Sequence, residues 1–309
     1  MNGQWSYNSN NTGVQASTCT ASGDYSTAMG DGTTASGDYS TSMGRSTAAS
    51  ALYSTAMGRS TAASALYSTA MGYGTDASGY FSTAMGSSTT ASALYSTAMG
   101  DGTIASGSRS TAMGSYTTAS DYASLSIGRY NSVNSTVTAG GSAASFDTDN
   151  AAFVIGNGTG SSTKSDAFVV YFNGNATLSG DLTINSDERL KDNIQPLGST
   201  LNKLHQIEGK TYSFKKDEEH TPKIGVLAQE VQAVFPELVT EGGDGILSVN
   251  YQGLVPVLIN AINEQDAKMS EQDAKIAALE AQNEQLAIAS KKIAALEEMV
   301  RFLAVQQSQ

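Results

Sequence analysis

Cysteine, histidine and long apolar runs are all scarce in this chain, and each scarcity removes a class of protein. One cysteine, Cys19, in 309 residues leaves no intrachain disulfide to form. With only His205 and His220 to join it, the ligands for a zinc site are too few. No metal or other cofactor is expected. No stretch approaches the roughly 18 apolar residues that cross a bilayer, so membrane insertion is not expected. The opening MNGQWSYNSN has neither a basic n-region nor an apolar h-region, which predicts no secretory signal. Positive charge is also short, with 17 Lys+Arg against 29 Asp+Glu and a net charge of −12. That balance argues against nucleic acid or an anionic membrane as the main partner, and a solvated acidic surface accounts for it. The hydrophobic fraction, 39%, lies below the usual globular range. The length is enough for two or three domains.

What is abundant is repetition. Glycine recurs at Gly30, Gly44, Gly58, Gly72, Gly86, Gly100, Gly114 and Gly128, always fourteen residues apart. Ala21 recurs on the same period through Ala119, Ser22 and Ser26 recur in every unit, and Thr33 recurs through Thr117 until Asn131 breaks the series. A strict period of this length is the mark of a stacked repeat. Within ASGDYSTAMGDGTT small residues alternate with polar or larger ones, the period of short strands. Two short strands per unit, each with a turn, describe one coil of a narrow β-solenoid. A heptad coiled coil is excluded by composition, because Ser, Thr and Gly form no apolar seam.

The unit resembles the head repeat of trimeric autotransporter adhesins of the YadA type, roughly A-x-G-x-x-S-x-A-x-G-x-x-S/T-x. Ala21, Gly23, Ser26, Ala28, Gly30 and Thr33 fit it in order. The resemblance implies a left-handed parallel β-roll of eight 14-residue coils over residues 20–130, with three chains side by side. At about 4.8 Å per coil the rod is roughly 40 Å long. Ala51, Ala65, Ala93 and Asp121 replace the first glycine, so that turn is expected not to need a positive φ. Met29 to Met113, then Ile127, form a file expected to pack between protomers. Tyr25, Tyr39, Tyr53, Tyr67, Phe81 and Tyr95 form another, which lapses at Arg109. It offers either ladder packing or a surface for sugar rings. A coil lined by Ala and Ser buries too little per chain to offset its backbone entropy, so trimerisation is expected to be obligatory.

Residues 1–19 read as a cap or attachment segment. Residues 131–185 read as a β-rich connector, with apolar bursts at Phe153–Ile155, Phe168–Phe172 and Leu178–Ile184 and turns at Asn157-Gly158 and Asn173-Gly174. Its GNGTGSS is not a phosphate loop, because no Gly-Lys-Ser/Thr follows.

The chain then changes character at Ser186-Asp187-Glu188-Arg189-Leu190-Lys191. Residues 186–258 read as a compact α+β domain: a strand at Lys210–Phe214, a helix over Ile224–Val231 stopped by Phe235-Pro236, a turn at Gly242-Gly243, and Leu247–Tyr251. Helix is expected from Leu254 onward, with residues 259–309 as a coiled coil through Ile262, Met269, Ile276, Leu279 and Leu286, and Asn283 on the seam. SDERLKDNI, then GVLAQEVQAVFPELV, then LSVNY and a terminal helix look like the intramolecular chaperone of endosialidases and other phage tail spikes and fibres. That resemblance covers about 120 residues. It implies a domain that trimerises, drives assembly of the stalk ahead of it and releases itself by autoproteolysis. Carried over, Ser186 is the nucleophile, Asn185–Ser186 the scissile bond and Lys191 the general base, while Gln229 and Glu230 of the second motif are expected in structural or orienting roles. A serine directly after a carbonyl can attack it by N→O acyl shift, and a lysine accepts the proton if burial or nearby charge lowers its pKa. Ser186 by itself reads as a helix N-cap ahead of a charged turn.

The reading that joins both ends is a homotrimeric tail fibre, made in the bacterial cytoplasm. It would be carried on a phage tail or on the baseplate of a contractile particle, and would contact a host surface receptor, a glycan by preference. A bacterial surface adhesin with a self-cleaving chaperone is the alternative; it calls for a signal and an anchor. Enzymatic attack on host polysaccharide has little support, since the coils offer no carboxylate pair at matched turns.

Overall fold

The structure is a computed structural model that describes residues 6–7, 11–16, 18–215 and 220–307. The rest of the expected 1–19 segment and the last two residues of the expected coiled coil lie outside the described residues. The chain forms two compact units, Met1–Asn185 and Ser186–Gln309.

The first unit is a β-solenoid of eight coils. Each coil has one five-residue strand, such as Thr69–Tyr73, and one two-residue strand, such as Asp76–Ala77. Like positions pair in parallel with the next coil, Thr69 to Thr83, Met71 to Met85 and Gly72 to Gly86. The sequence period therefore becomes the strand register, and every file in the sequence is a file in space. Alternation decides the contents. Ala70 and Ala77 point inward and are fully buried, as are Ser68 and Thr75 nearby. Thr69 and Met71 face outward and are only half-buried in the single chain. The lumen holds nothing larger than threonine along the coils.

The second glycine of each unit is required by this geometry. Gly72 has φ +123°, and a Cβ there would run into the carbonyl oxygen of Gly86 in the coil above. The first glycine, by contrast, does not have positive φ at Gly23, Gly37, Gly79 or Gly107, as its replacement by alanine implies. The left-handed residue of that turn is the aromatic two places on: Tyr53 has φ +58° and Tyr67 +57°. Left-handed backbone costs about 1–2 kcal/mol for a residue with a Cβ. Ring stacking offsets part of it, with centroids 4.9 Å apart between Tyr53 and Tyr67 and planes 5° from parallel. Six rings from Tyr25 to Tyr95 stack in this way, and Arg109 ends the series with its guanidinium 5.5 Å from the Tyr95 ring centroid. The rings turn their faces to one another, which is ladder packing, and the file stays exposed along its length.

The solenoid ends where side chains replace the next coil. Beside the last short strand, Thr118–Ala119, no further strand pairs among the described residues. Asn131 takes that place: its Oδ1 accepts from Thr118 N at 2.8 Å and its Nδ2 donates to Thr118 O at 2.8 Å. Asn134 Oδ1 likewise accepts from the amides of Ser120 and Asp121. Asp121, in the first-glycine position, is buried and accepts from Thr138 N, Thr138 Oγ1 and Ala151 N. The long-strand sheet continues instead. Ala151–Asn157 pairs in parallel with Leu125–Arg129, followed by Asp166–Tyr171 and Ala176–Leu178 in antiparallel order. The connector is thus an extension of the solenoid sheet. The third burst is shorter than expected, since residues 179–185 are not strand; their exposed Leu182 and Ile184 have nothing to alternate against.

The second unit has a small core of Val231, Phe235 and Val257 with Leu204, Ile207, Leu238 and Val249 packed around it. Two hairpins, Lys210–Tyr212 with Lys223–Gly225 and Val239–Glu241 with Leu247–Val249, precede and follow helix α2, Ala228–Val234, in the chain. The helix expected over Ile224–Val231 therefore begins four residues late, because Ile224 and Gly225 are spent on strand pairing. A short helix α1, Leu201–Leu204, precedes them. The long helix α3, Leu254–Gln307, carries Pro256 in its first turn, where no intrahelical donor is lost. Ile262, Met269, Ile276, Leu279 and Leu286 are all more than half exposed along it in the single chain.

Candidate functional site

The residues of SDERLK form one tight turn. Glu188–Leu190 is a single 3-10 turn, capped by Asp187, whose Oδ1 accepts from Arg189 N at 2.9 Å. The capping role that Ser186 alone suggests thus falls to Asp187, which leaves the Ser186 hydroxyl free of the backbone. Lys191 closes the turn through its N–H to Glu188 O at 3.0 Å. Its side chain folds back, and Nζ donates to Ser186 Oγ at 2.7 Å. The five-residue spacing of Ser186 and Lys191 is therefore bridged by one turn of backbone.

Asp187 and Arg189 support that pairing. The guanidinium bonds the carboxylate at 2.6 and 3.0 Å. These bonds, with the Arg189 backbone amide, hold the Asp187 carboxyl below its usual range and raise the arginine. The Lys191 charge adds a smaller contribution in the same direction on Asp187. The sequence contained this signal in its Asp-x-Arg spacing, which carried no assigned role.

Both Ser186 and Lys191 are exposed in the single chain. A lysine becomes a base when burial or neighbouring cations disfavour its charged form. The pair as it stands has the distance of a dyad but not the dry surroundings of one. Glu230 is elsewhere engaged, accepting from Glu208 N at 2.9 Å and lying 3.6 Å from Lys210 Nζ. Gln229 is exposed on the first turn of α2. Among the described residues no hydrogen bond joins either to Ser186 or Lys191.

Comparison with known proteins assigns both ends. Residues 21–47, 49–75, 77–103 and 105–131 match the family model described as YadA head domain repeat, taken two copies at a time. Residues 186–240 match the one described as Chaperone of endosialidase. The chain carries both, and the second match opens on Ser186. Among curated proteins it is 39% identical over 97 residues to a long tail fiber protein Gp37 of Escherichia phage AR1, covering 29% of this chain and 9% of that one. It is 33% identical over 107 residues to the Gp37 of Salmonella phage S16, covering 32% and 14%. A probable tail fiber protein of Escherichia phage Phieco32 is 35% identical over 98 residues, covering 30% and 14%. The chain thus aligns with a small fraction of these relatives' own length.

Proposed function

We propose that this chain is a homotrimeric tail-fibre segment whose C-terminal unit assembles three chains and then cuts itself away between Asn185 and Ser186. The observation that carries the reading is the 2.7 Å bond from Lys191 Nζ to Ser186 Oγ at the first residues of the second unit. The likeness to phage tail fibres and the match to an endosialidase chaperone support it. Carriage on a phage tail or a contractile-particle baseplate, and contact with a host glycan through the coils' outward edges, belong to the same reading.

The chemistry balances with this chain's own groups and water. Ser186 Oγ attacks the Asn185 carbonyl carbon and gives its proton to Lys191 Nζ. The C–N bond to Ser186 breaks as that proton passes to the departing amine, leaving an ester between Asn185 and the serine oxygen. Water then hydrolyses the ester, giving the Asn185 carboxylate and a Ser186 with free amine and hydroxyl. Lys191 must start neutral, which asks for burial that the exposed single chain lacks. Packing of three copies around the turn supplies it, so cutting follows assembly.

Denaturing electrophoresis of the expressed chain tests this. Wild type should give fragments of residues 1–185 and 186–309, while Ser186→Ala and Lys191→Ala stay whole. An uncut wild type, or mutants that cut, would overturn the reading.

A further inference from the structure

The turn that bears Ser186 and Lys191 is held to its unit at one place. From Ser186 to Leu197 the described hydrogen bonds stay within the segment, and residues 186–199 are all exposed. The chain is then fastened at residues 198–201. Glu264 Oε1 accepts from Thr200 N at 2.6 Å, and its Oε2 accepts from Ser199 Oγ at 2.9 Å. Longer bonds reach it from Thr200 Oγ1 at 3.3 Å and Leu201 N at 3.4 Å. Asn260 Nδ2 donates to Gly198 O at 2.6 Å, to Thr200 Oγ1 at 3.1 Å and to Glu264 Oε1 at 3.0 Å. Thr200 is buried, and its hydroxyl also meets Val257 O at 3.3 Å.

Asn260 and Glu264 are four residues apart on α3, so they share one helix face with Val257. That face holds the dyad-bearing segment, while Ile262, Met269 and Ile276 of the same helix remain exposed for other copies. One helix therefore carries both the surface that would assemble and the carboxylate that receives the segment. Four donors from one short stretch converge on a single carboxylate, more than capping a four-residue helix requires.

We propose that Asn260 and Glu264 are positioning residues for the Ser186–Lys191 pair, seating its segment on α3 so that helix assembly and dyad placement are coupled. The inference rests on the self-cleavage reading above. Loss of the carboxylate leaves the dyad chemically intact but without a fixed height along the helix, where small misplacements cost large factors in rate.

The test uses the full chain with Glu264→Ala, Glu264→Gln and Asn260→Ala, following cleavage by electrophoresis over time and assembly by analytical ultracentrifugation. Amide exchange at Thr200 and Leu201 is read in the uncut Lys191→Ala background. Glu264→Ala should assemble as wild type does, cut at least about tenfold more slowly, and lose protection at those two amides. Glu264→Gln, which keeps an oxygen for the Thr200 amide, should regain most of the rate, and Asn260→Ala should fall between. Cleavage of Glu264→Ala at the wild-type rate would overturn the proposal, as would its failure to assemble, which would make the clamp a folding contact. A Gln variant no better than Ala would do the same. A wild type that does not cut removes the cleavage reading itself and this proposal with it, and so is distinguishable from failure of the clamp alone.

Discussion

Thr75 Oγ1 is buried in the solenoid lumen with no hydrogen-bond partner, and so are the hydroxyls of Thr61, Thr89 and Thr103. In each of these coils the residue five places earlier is alanine. In the coil where it is Ser42, the hydroxyls of Ser42 and Thr47 meet at 2.7 Å. The lumen thus has room for one more oxygen where alanine stands. Ala70→Ser should therefore give Thr75 a partner and raise stability by roughly 1 kcal/mol per chain, read as a higher guanidinium unfolding midpoint. A lowered midpoint would mean the lumen is already full. The alanine file was legible in the sequence as a periodic small residue. Its orphaned partner was not, because nothing in a one-dimensional repeat says which small side chains face each other across the coil. The SDERLK turn was half legible in the same sense: the resemblance pointed to Ser186 and Lys191, whereas the cap at Asp187 and its bonds to Arg189 needed backbone geometry.

Strands and helices were readable where their period was unopposed. The coils kept their register because fourteen residues return every file to the same face. The break at Asn131 was visible as a lost threonine, but its work was not. Its amide imitates the missing coil, and such an end cap matters because an open sheet edge exposes unpaired backbone. Asn131→Ala should cost about 2–3 kcal/mol and unprotect the Thr118 amide in hydrogen exchange. Asn131→Asp, which keeps the acceptor for that amide, should protect it while still losing the bond to Thr118 O. Unchanged exchange in the alanine variant would count against the cap. Helix α2 was misplaced in the sequence because Ile224-Gly225-Val226-Leu227 is a short apolar run that helix and strand share. Pairing with Lys210–Tyr212 claimed its first half.

On the scale of the whole molecule, a coil whose interior is alanine, serine and threonine gains little from burial against the roughly 1–2 kcal/mol per residue that ordering its backbone costs. The half-buried methionine file of the coils and the exposed Ile, Leu and Met stripe of α3 are the apolar surfaces left to make up the difference. A chain ended after Gly253 should then fail to give a soluble trimer, and size-exclusion chromatography with light scattering should find monomer or aggregate. A soluble trimeric shaft from that truncation would show that the coils assemble without the helix.

The sequence by itself determined the coil, its period and the change of character at Ser186, because each is a matter of local spacing or residue type. Only the tertiary structure decided that tyrosines carry the left-handed turns, that two asparagines close the solenoid, and that Glu264 receives the segment behind the dyad. Those contacts join residues far apart in the chain or rest on backbone angles. Glu264 and Thr200 lie 64 positions apart and meet at 2.6 Å only because Phe235, Val231 and Val257 fold the intervening chain into one small core.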